Sequence, residues 1–187
     1  MNTFELVAAV FGITSVFLST RQNVWSWPTS LVNVTMYGIY FSEQKLYALM
    51  ALQAFFAIIS LYGWYKWLFG GDRRTPLKVS RTSPRLGVAL VLVTALLTLG
   101  LEYVLRNHTQ DPAPLVDALL SSVSLVAQWM MARKLLECWG IWVAVNLISV
   151  PFFLTRAEYP TAIQYAVFLG LAVSGWVQWK KSLAEAS

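Results

Sequence analysis

Long apolar runs separated by short polar joints organise this chain. Seven runs are candidates for membrane-crossing helices, at residues 2–20, 25–41, 46–69, 85–105, 115–132, 139–154 and 159–179. A helix needs about 20 predominantly apolar residues to cross the hydrocarbon core. The second and sixth runs are short for a straight crossing, and Pro28 and Pro151 lie in or near them as candidate bending points. The runs are continuous, unlike the alternating segments of an outer-membrane barrel. The joints are short except at residues 70–84, GGDRRTPLKVSRTSP, whose glycines, prolines and basic residues predict a solvated loop.

The pattern repeats. LYGWYKW (residues 61–67) resembles VSGWVQW (residues 173–179), so Gly63, Trp64 and Trp67 map to Gly175, Trp176 and Trp179 by adding 112. The same offset takes Glu5 to Asp117, Arg21 to Arg133, Trp27 to Trp139 and Tyr47 to Tyr159, and an offset of 113 takes Asn33 to Asn146. Runs one to three therefore correspond to runs five to seven. Their basic ends match, so the two triplets point the same way, and the fourth run is the single crossing that makes this possible. The expected architecture is all-α and integral to the membrane, with seven transmembrane helices arranged three plus one plus three as a parallel pseudo-repeat. Its units are 1–70 (first three helices), 71–110 (basic cytoplasmic loop plus linker helix) and 111–187 (second three helices and a short cytoplasmic tail). Parallel repeats of this kind occur in transporters, with the substrate site between the repeats near the midplane.

Polar positions inside the runs narrow the choice of site, because a polar side chain in lipid is costly unless it faces the bundle interior. The fifth run carries Asp117, Ser121, Ser124 and Gln128, a continuous helical stripe, whereas the first run has Glu5, Ala9, Gly12 and Val16 at the matching places. The sixth run carries Trp139, Trp142 and Asn146 at i, i+3 and i+7, on one helical face. Asn33 and Tyr37 share a face of the second run, and Gln53 and Gln164 lie within the third and seventh. Each amide alone is explained by an interhelical hydrogen bond, worth about 0.6 kcal/mol on average. The set suggests a lined chamber. Two indoles and an amide suit a flat ring joined to a sugar or another polar group, with cation–π stacking of about 0.5–2 kcal/mol per contact if the ring is cationic. Trp25, Trp64, Trp67, Trp176 and Trp179, near the ends of runs, are expected to be interface residues.

Composition agrees with a lipid solvent. Of the 187 residues, 57% are hydrophobic and 12% charged, about half the charge of a soluble domain. The net charge of +5 could indicate nucleic acid, but the basic residues border the apolar runs, as cytoplasmic flanks do. Arg21, Arg73, Arg74, Lys78, Arg81, Arg85, Arg133, Lys134, Lys180 and Lys181 fall on one side and Lys45, Arg106 and Arg156 on the other. This bias places the N-terminus outside and the C-terminus in the cytoplasm. Cys138 is the sole cysteine and His108 the sole histidine, so neither a disulfide nor a metal site is expected. No cofactor motif, Walker A sequence or HExxH, GxSxG or CxxC pattern is present. A membrane enzyme would need a polar catalytic cluster at an interface, and an assembly subunit would not need the asymmetric polar stripe.

RQNVWSWPTSLVNVTMYGIYF, KLYALMALQAFFAIISLYGWYKW and VSLVAQWMMARKLLECWGIWVAVNLISV together resemble the PnuC family of bacterial vitamin-precursor transporters, over nearly the whole chain. The resemblance implies a SWEET-like inner-membrane facilitator, not an enzyme, that takes up nicotinamide riboside for NAD biosynthesis by facilitated diffusion. Thiamine, or another vitamin or nucleoside, is the alternative cargo. It also implies trapping by a cytoplasmic kinase and a homo-oligomer, since family members can assemble as trimers. Carried onto this chain, the WxxW pair and following amide make Trp139, Trp142 and Asn146 substrate contacts, with Gln53 and Gln128 at further polar positions.

Overall fold

A computed structural model describes residues 3–109 and 113–185. Among them the chain forms seven α-helices: α1 (Thr3–Thr20), α2 (Ser26–Glu43), α3 (Tyr47–Phe69), α4 (Pro84–His108), α5 (Pro114–Ala132), α6 (Cys138–Thr155) and α7 (Tyr159–Glu185). No strand occurs among the described residues, and a lone parallel bridge joins Ser80 to Leu135. The expected boundaries hold to within a few residues, except that α7 continues to Glu185. The expected start of the first run at residue 2 lies outside the described residues. Among the described residues, four helices, α4 to α7, are long and apolar enough to cross a membrane, and 6–20 within α1 is a shorter apolar helix.

The principal contacts run α1–α2, α2–α3, α3–α5, α5–α6, α6–α7 and α7–α1, which closes a ring of six helices. Helix α4 joins the ring through α5. It turns Val91, Leu96 and Leu99 outward, at 68%, 70% and 63% exposure, as a helix solvated by lipid does. Pro84 opens α4 at a position where its missing N–H costs nothing, and the Ser83 hydroxyl accepts from the Leu86 N–H.

Four helices end alike. After α1, α2, α5 and α6 the chain passes through a left-handed residue, respectively Gln22 (φ 54°), Lys45 (φ 58°), Lys134 (φ 50°) and Ala157 (φ 58°). In each case the next two N–H groups turn back onto the helix. Gln22 N–H donates to Ser19 O and Asn23 N–H to Leu18 O, just as Lys134 N–H donates to Met131 O and Leu135 N–H to Met130 O. Lys45 and Leu46 repeat this on Ser42 and Phe41, and Ala157 and Glu158 on Leu154 and Phe153. These are Schellman turns, which satisfy the last carbonyls of a helix. The first and third turns, and the second and fourth, are 112 residues apart.

The glycine and tryptophans of the repeated GWxxW segment have a packing reason. The Trp27 ring lies against Gly63 so closely that a Cβ there would stand 2.4 Å from Cη2, and Trp139 lies against Gly175 with a corresponding gap of 2.5 Å to Cε2. The tryptophan four residues after each glycine then meets the same ring edge-on. Trp27 and Trp67 have centroids 5.3 Å apart at 89°, and Trp139 and Trp179 are 5.4 Å apart at 89°, a favoured aromatic geometry.

Two expectations are corrected. Trp67 and Trp179 are not interface residues: they are 3% and 0% exposed and sit in the core, whereas Trp25 is 66% exposed. The loop at 70–84 is not merely solvated. Leu77 N–H donates to Trp67 O, Ser80 N–H to Lys134 O, and Leu136 N–H to Ser80 O. The Thr82 N–H and hydroxyl both donate to Glu137 Oε2, at 2.8 Å each. The turn between α5 and α6 offers unpaired backbone groups, and this loop satisfies them.

Candidate functional site

Helix α6 presents Trp139, Trp142 and Asn146 to the inside of the ring. Trp139 is 0% and Asn146 3% exposed, and Trp142 is half-buried within the core packing. The Asn146 amide donates to Trp142 O at 2.7 Å. An amide has two donors and a carbonyl acceptor, so most of its capacity is left. The indole N–H groups of Trp139 and Trp142 are buried without an acceptor, as is the Ser122 hydroxyl on neighbouring α5. A buried donor left unpaired costs roughly 1–3 kcal/mol, which makes this part of the interior suited to a polar guest.

The first half shows which part of this face is packing alone. Trp27 occupies the same place against Gly63 as Trp139 does against Gly175, and its N–H is likewise unpartnered. At the places of Trp142 and Asn146, however, the first half has Ser30 and Val34. Ser30 is spent on Ser60, hydroxyl to hydroxyl at 3.2 Å. The pairing of an indole with an amide one turn on is therefore peculiar to α6 of the second half, and Trp139 is also a core residue enclosed by Gly175 and Trp179.

The other expected residues fall into two groups. Asn33 donates to Ala8 O at 2.7 Å and packs on Gly12, which ties α2 to α1. Tyr37 stacks on Phe41, and Tyr165 of α7 stacks on Phe153 of α6. Gln53, Ser124, Gln128 and Gln164 are half-buried and, among the described residues, make no hydrogen bond to the protein, including to Trp142 or Asn146. Asp117 and Ser121, which begin the α5 stripe, are half-buried. The Glu5 side chain, matched to Asp117 by the offset, lies outside the described residues.

Neither of two surface cavities is lined by these residues. One of about 330 Å³ lies between α4, α5 and α6 beside Thr82 and Glu137, and one of about 310 Å³ lies at the basic end beside Thr20, Gln22 and Lys181.

Ser122 is a candidate residue that sequence reasoning missed. Ser122 lies beside the stripe of Ser121, Ser124 and Gln128, yet it is the fully buried member at 0% exposure. Only the packing partners of α5 identify its direction. No group of three or more metal-ligating side chains occurs among the described residues.

Comparison with known proteins places the chain in a family. The profile of the family described as "Nicotinamide mononucleotide transporter" matches residues 2–181. The chain is 28% identical to the nicotinamide riboside transporter PnuC of Escherichia coli (strain K12), over 99% of this chain and 88% of that protein. It is 26% identical to the riboflavin/roseoflavin transporter RibM of Streptomyces davaonensis, over 94% and 83%. Its fold matches the crystal structure of the vitamin B3 transporter PnuC with a TM-score of 0.77, at 23% identity and covering 97% and 82% of the two chains. These relatives are transporters rather than enzymes. The chain thus belongs to the nicotinamide mononucleotide transporter family.

Proposed function

We propose that the protein moves nicotinamide riboside across the bacterial inner membrane by facilitated diffusion. The observation that carries this is the α6 face: a half-buried indole and a buried amide, Trp142 and Asn146, beside unpartnered donors on α5 and α6. Nicotinamide riboside is a pyridinium joined to ribose. The cationic ring stacks on Trp142, and Asn146, Ser122, Ser124 and Gln128 bind the sugar hydroxyls. Asn33, Tyr37, Gln53 and Gln164 line the remainder, and Trp139 holds Trp142 in place from one turn below.

The charge of the lining selects between the family's description and the relatives' names. The mononucleotide carries a phosphate, and a buried anion needs a cationic partner. None of the nine candidate residues is basic. The uncharged lining suits the riboside, and phosphorylation by a cytoplasmic kinase then traps it, because the product no longer fits.

The architecture proposed for this activity is seven crossings in a SWEET-like arrangement of three plus one plus three. Its units are 1–70, 71–110 and 111–187, with the N-terminus outside. The paired Schellman turns and the paired Trp–Gly–Trp packing, both at an offset of 112, support it. The ring contacts also support it: α1–α7 corresponds to α5–α3, α1–α2 to α5–α6, and α2–α3 to α6–α7. A homo-oligomer, such as a trimer, completes the assembly.

The test is uptake of labelled nicotinamide riboside into sealed vesicles containing this protein alone, with the mononucleotide, thiamine and riboflavin as competitors. Equilibration without accumulation, and competition by none of the three, is the expected result. Strong competition by the mononucleotide would overturn the selectivity argument, and accumulation above the outside concentration would overturn facilitation.

A further inference from the structure

Four tryptophans close the end of the bundle that carries the basic loops. Trp27 meets Trp67, Trp67 meets Trp179 at 5.9 Å and 58°, and Trp179 meets Trp139, so the rings form one continuous row. None is more than 3% exposed. The outer two contacts each lie within one half of the molecule, α2 with α3 and α6 with α7. The middle contact, Trp67 to Trp179, joins the halves.

The hydrogen bonds of the two middle tryptophans also cross between halves. The Trp67 indole N–H donates to Met131 O at 3.1 Å, and the Trp179 indole N–H donates to Ser19 O at 3.0 Å. Met131 and Ser19 are the same position, 112 residues apart, in the last turns of α5 and α1. Each half thus inserts the third helix's indole into the helix end of the other half. Above this row, Gln22 and Lys134, themselves counterparts at the two Schellman turns, meet each other: Lys134 Nζ donates to Gln22 Oε1 at 3.2 Å. The same ammonium lies 4.6 Å from the centre of the Trp67 ring.

We propose that Trp67 and Trp179 are the gating residues of the transport cycle, a paired latch whose two indole hydrogen bonds must break for the basic-loop end to open. The inference rests on the two-unit transporter proposed above. The two halves touch along α1–α7 and α3–α5, and both latch bonds lie on these seams. Rocking one half away from the other at this end separates Trp67 from Met131 and Trp179 from Ser19 in the same movement. It also parts the ring contact and the Gln22–Lys134 bond. By contrast, the Trp27 and Trp139 indole N–H groups have no hydrogen-bond partner among the described residues and travel with their own halves.

The protein contains its own reporter. Cys138 is the sole cysteine, is 0% exposed and precedes Trp139 in the closed row. Its rate of alkylation by N-ethylmaleimide in proteoliposomes, without substrate, reads opening of this end whatever the cargo is. Trp67→Phe and Trp179→Phe keep an aromatic ring and lose one bond each. Each is expected to raise the labelling rate about five-fold, as loss of one net hydrogen bond implies. Trp27→Phe, which has no bond to lose, is expected to label at the parental rate. Unchanged labelling in both latch variants, or an equal rise in Trp27→Phe, would overturn the proposal.

A second measurement does not depend on how the tryptophan variants fold. Cysteines placed at Gln22 and Lys134 in a Cys138→Ser background, joined by a short bis-maleimide, tie the halves together over the latch. Uptake is expected to stop in the linked protein and to continue in the same protein left unlinked. Uptake at the unlinked rate after complete cross-linking would show that this end need not open, and would sink the latch. If the unlinked protein transports nothing while Cys138 labelling behaves as expected, the transport assignment fails and the latch stands.

Discussion

Replacing Gly175 by alanine is expected to destabilise the protein and to weaken substrate binding together, whereas Gly63→Ala does only the first. A Cβ at position 175 would meet Trp139 Cε2, Cδ2 and Cζ2 at 2.5–2.6 Å, about an ångström inside ordinary van der Waals contact. The ring has nowhere simple to go, because it is fully buried and also packs T-shaped against Trp179, with centroids 5.4 Å apart. Overpacking of this kind costs about 1–3 kcal/mol, and a fully enclosed indole places the expected cost near the upper end. Gly63 faces Trp27 with gaps of 2.4–2.7 Å, so the same loss is expected there. For a chain of this size, about 2–3 kcal/mol lowers Tm by roughly 4–12 °C, readable by thermal unfolding in detergent. The difference lies one turn along α6: displacing Trp139 disturbs Trp142, but displacing Trp27 reaches only Ser30. Titration of intrinsic tryptophan fluorescence with nicotinamide riboside should show Kd raised several-fold in Gly175→Ala, roughly 1 kcal/mol, and unchanged in Gly63→Ala. A Gly175→Ala protein that melts with the parent would refute the packing argument. Equal effects of the two variants on Kd would refute the assignment of the ring-stacking contact to α6.

Three further outcomes are expected. Trp142→Ala and Asn146→Ala should each weaken riboside binding about ten-fold by calorimetry, the worth of one cation–π or buried polar contact, with little change in membrane insertion; parental affinity in the double variant would mean the site lies elsewhere. Burial pushes the Lys134 ammonium down from 10.5 to about 8. The unfolded chain therefore holds the extra proton between about pH 8 and 10.5, so stability rises with pH through that window, and the penalty is fully present below about 8. The expected gain is of the order of 3 kcal/mol, and Tm of the parent should climb from pH 8 to 10 relative to Lys134→Met; parallel Tm curves would contradict this. Ala157 holds φ 58° on the exposed turn after α6, so Ala157→Gly should stabilise by about 1 kcal/mol, seen as a small rise in Tm.

Much of the fold is legible in the apolar runs, and the repeat is legible in GWxxW. The reason for that motif is not. Interface residues and core residues are both aromatic near helix ends, so Trp67 and Trp179 look like Trp25 until the partner helices are in place. The α5 stripe shows the same limit. Spacing ranks Ser121 and Ser124 with Gln128, but the buried, unpartnered hydroxyl is that of Ser122, because helix rotation is set by neighbours and not by local sequence.

The sequence by itself determined the helices, their order, the unequal polarity of the two halves, and Trp142 and Asn146 as the pair to examine. These follow from hydropathy and from the 3.6-residue period, which are local properties. The tertiary structure alone decided that Trp67 and Trp179 bond across the halves to Met131 and Ser19, and that Trp139 is packed against Gly175. It also decided that the loop after α3 docks beneath the turn after α5. Those contacts join residues far apart in the chain, and only the closing of the ring brings their donors and acceptors within reach.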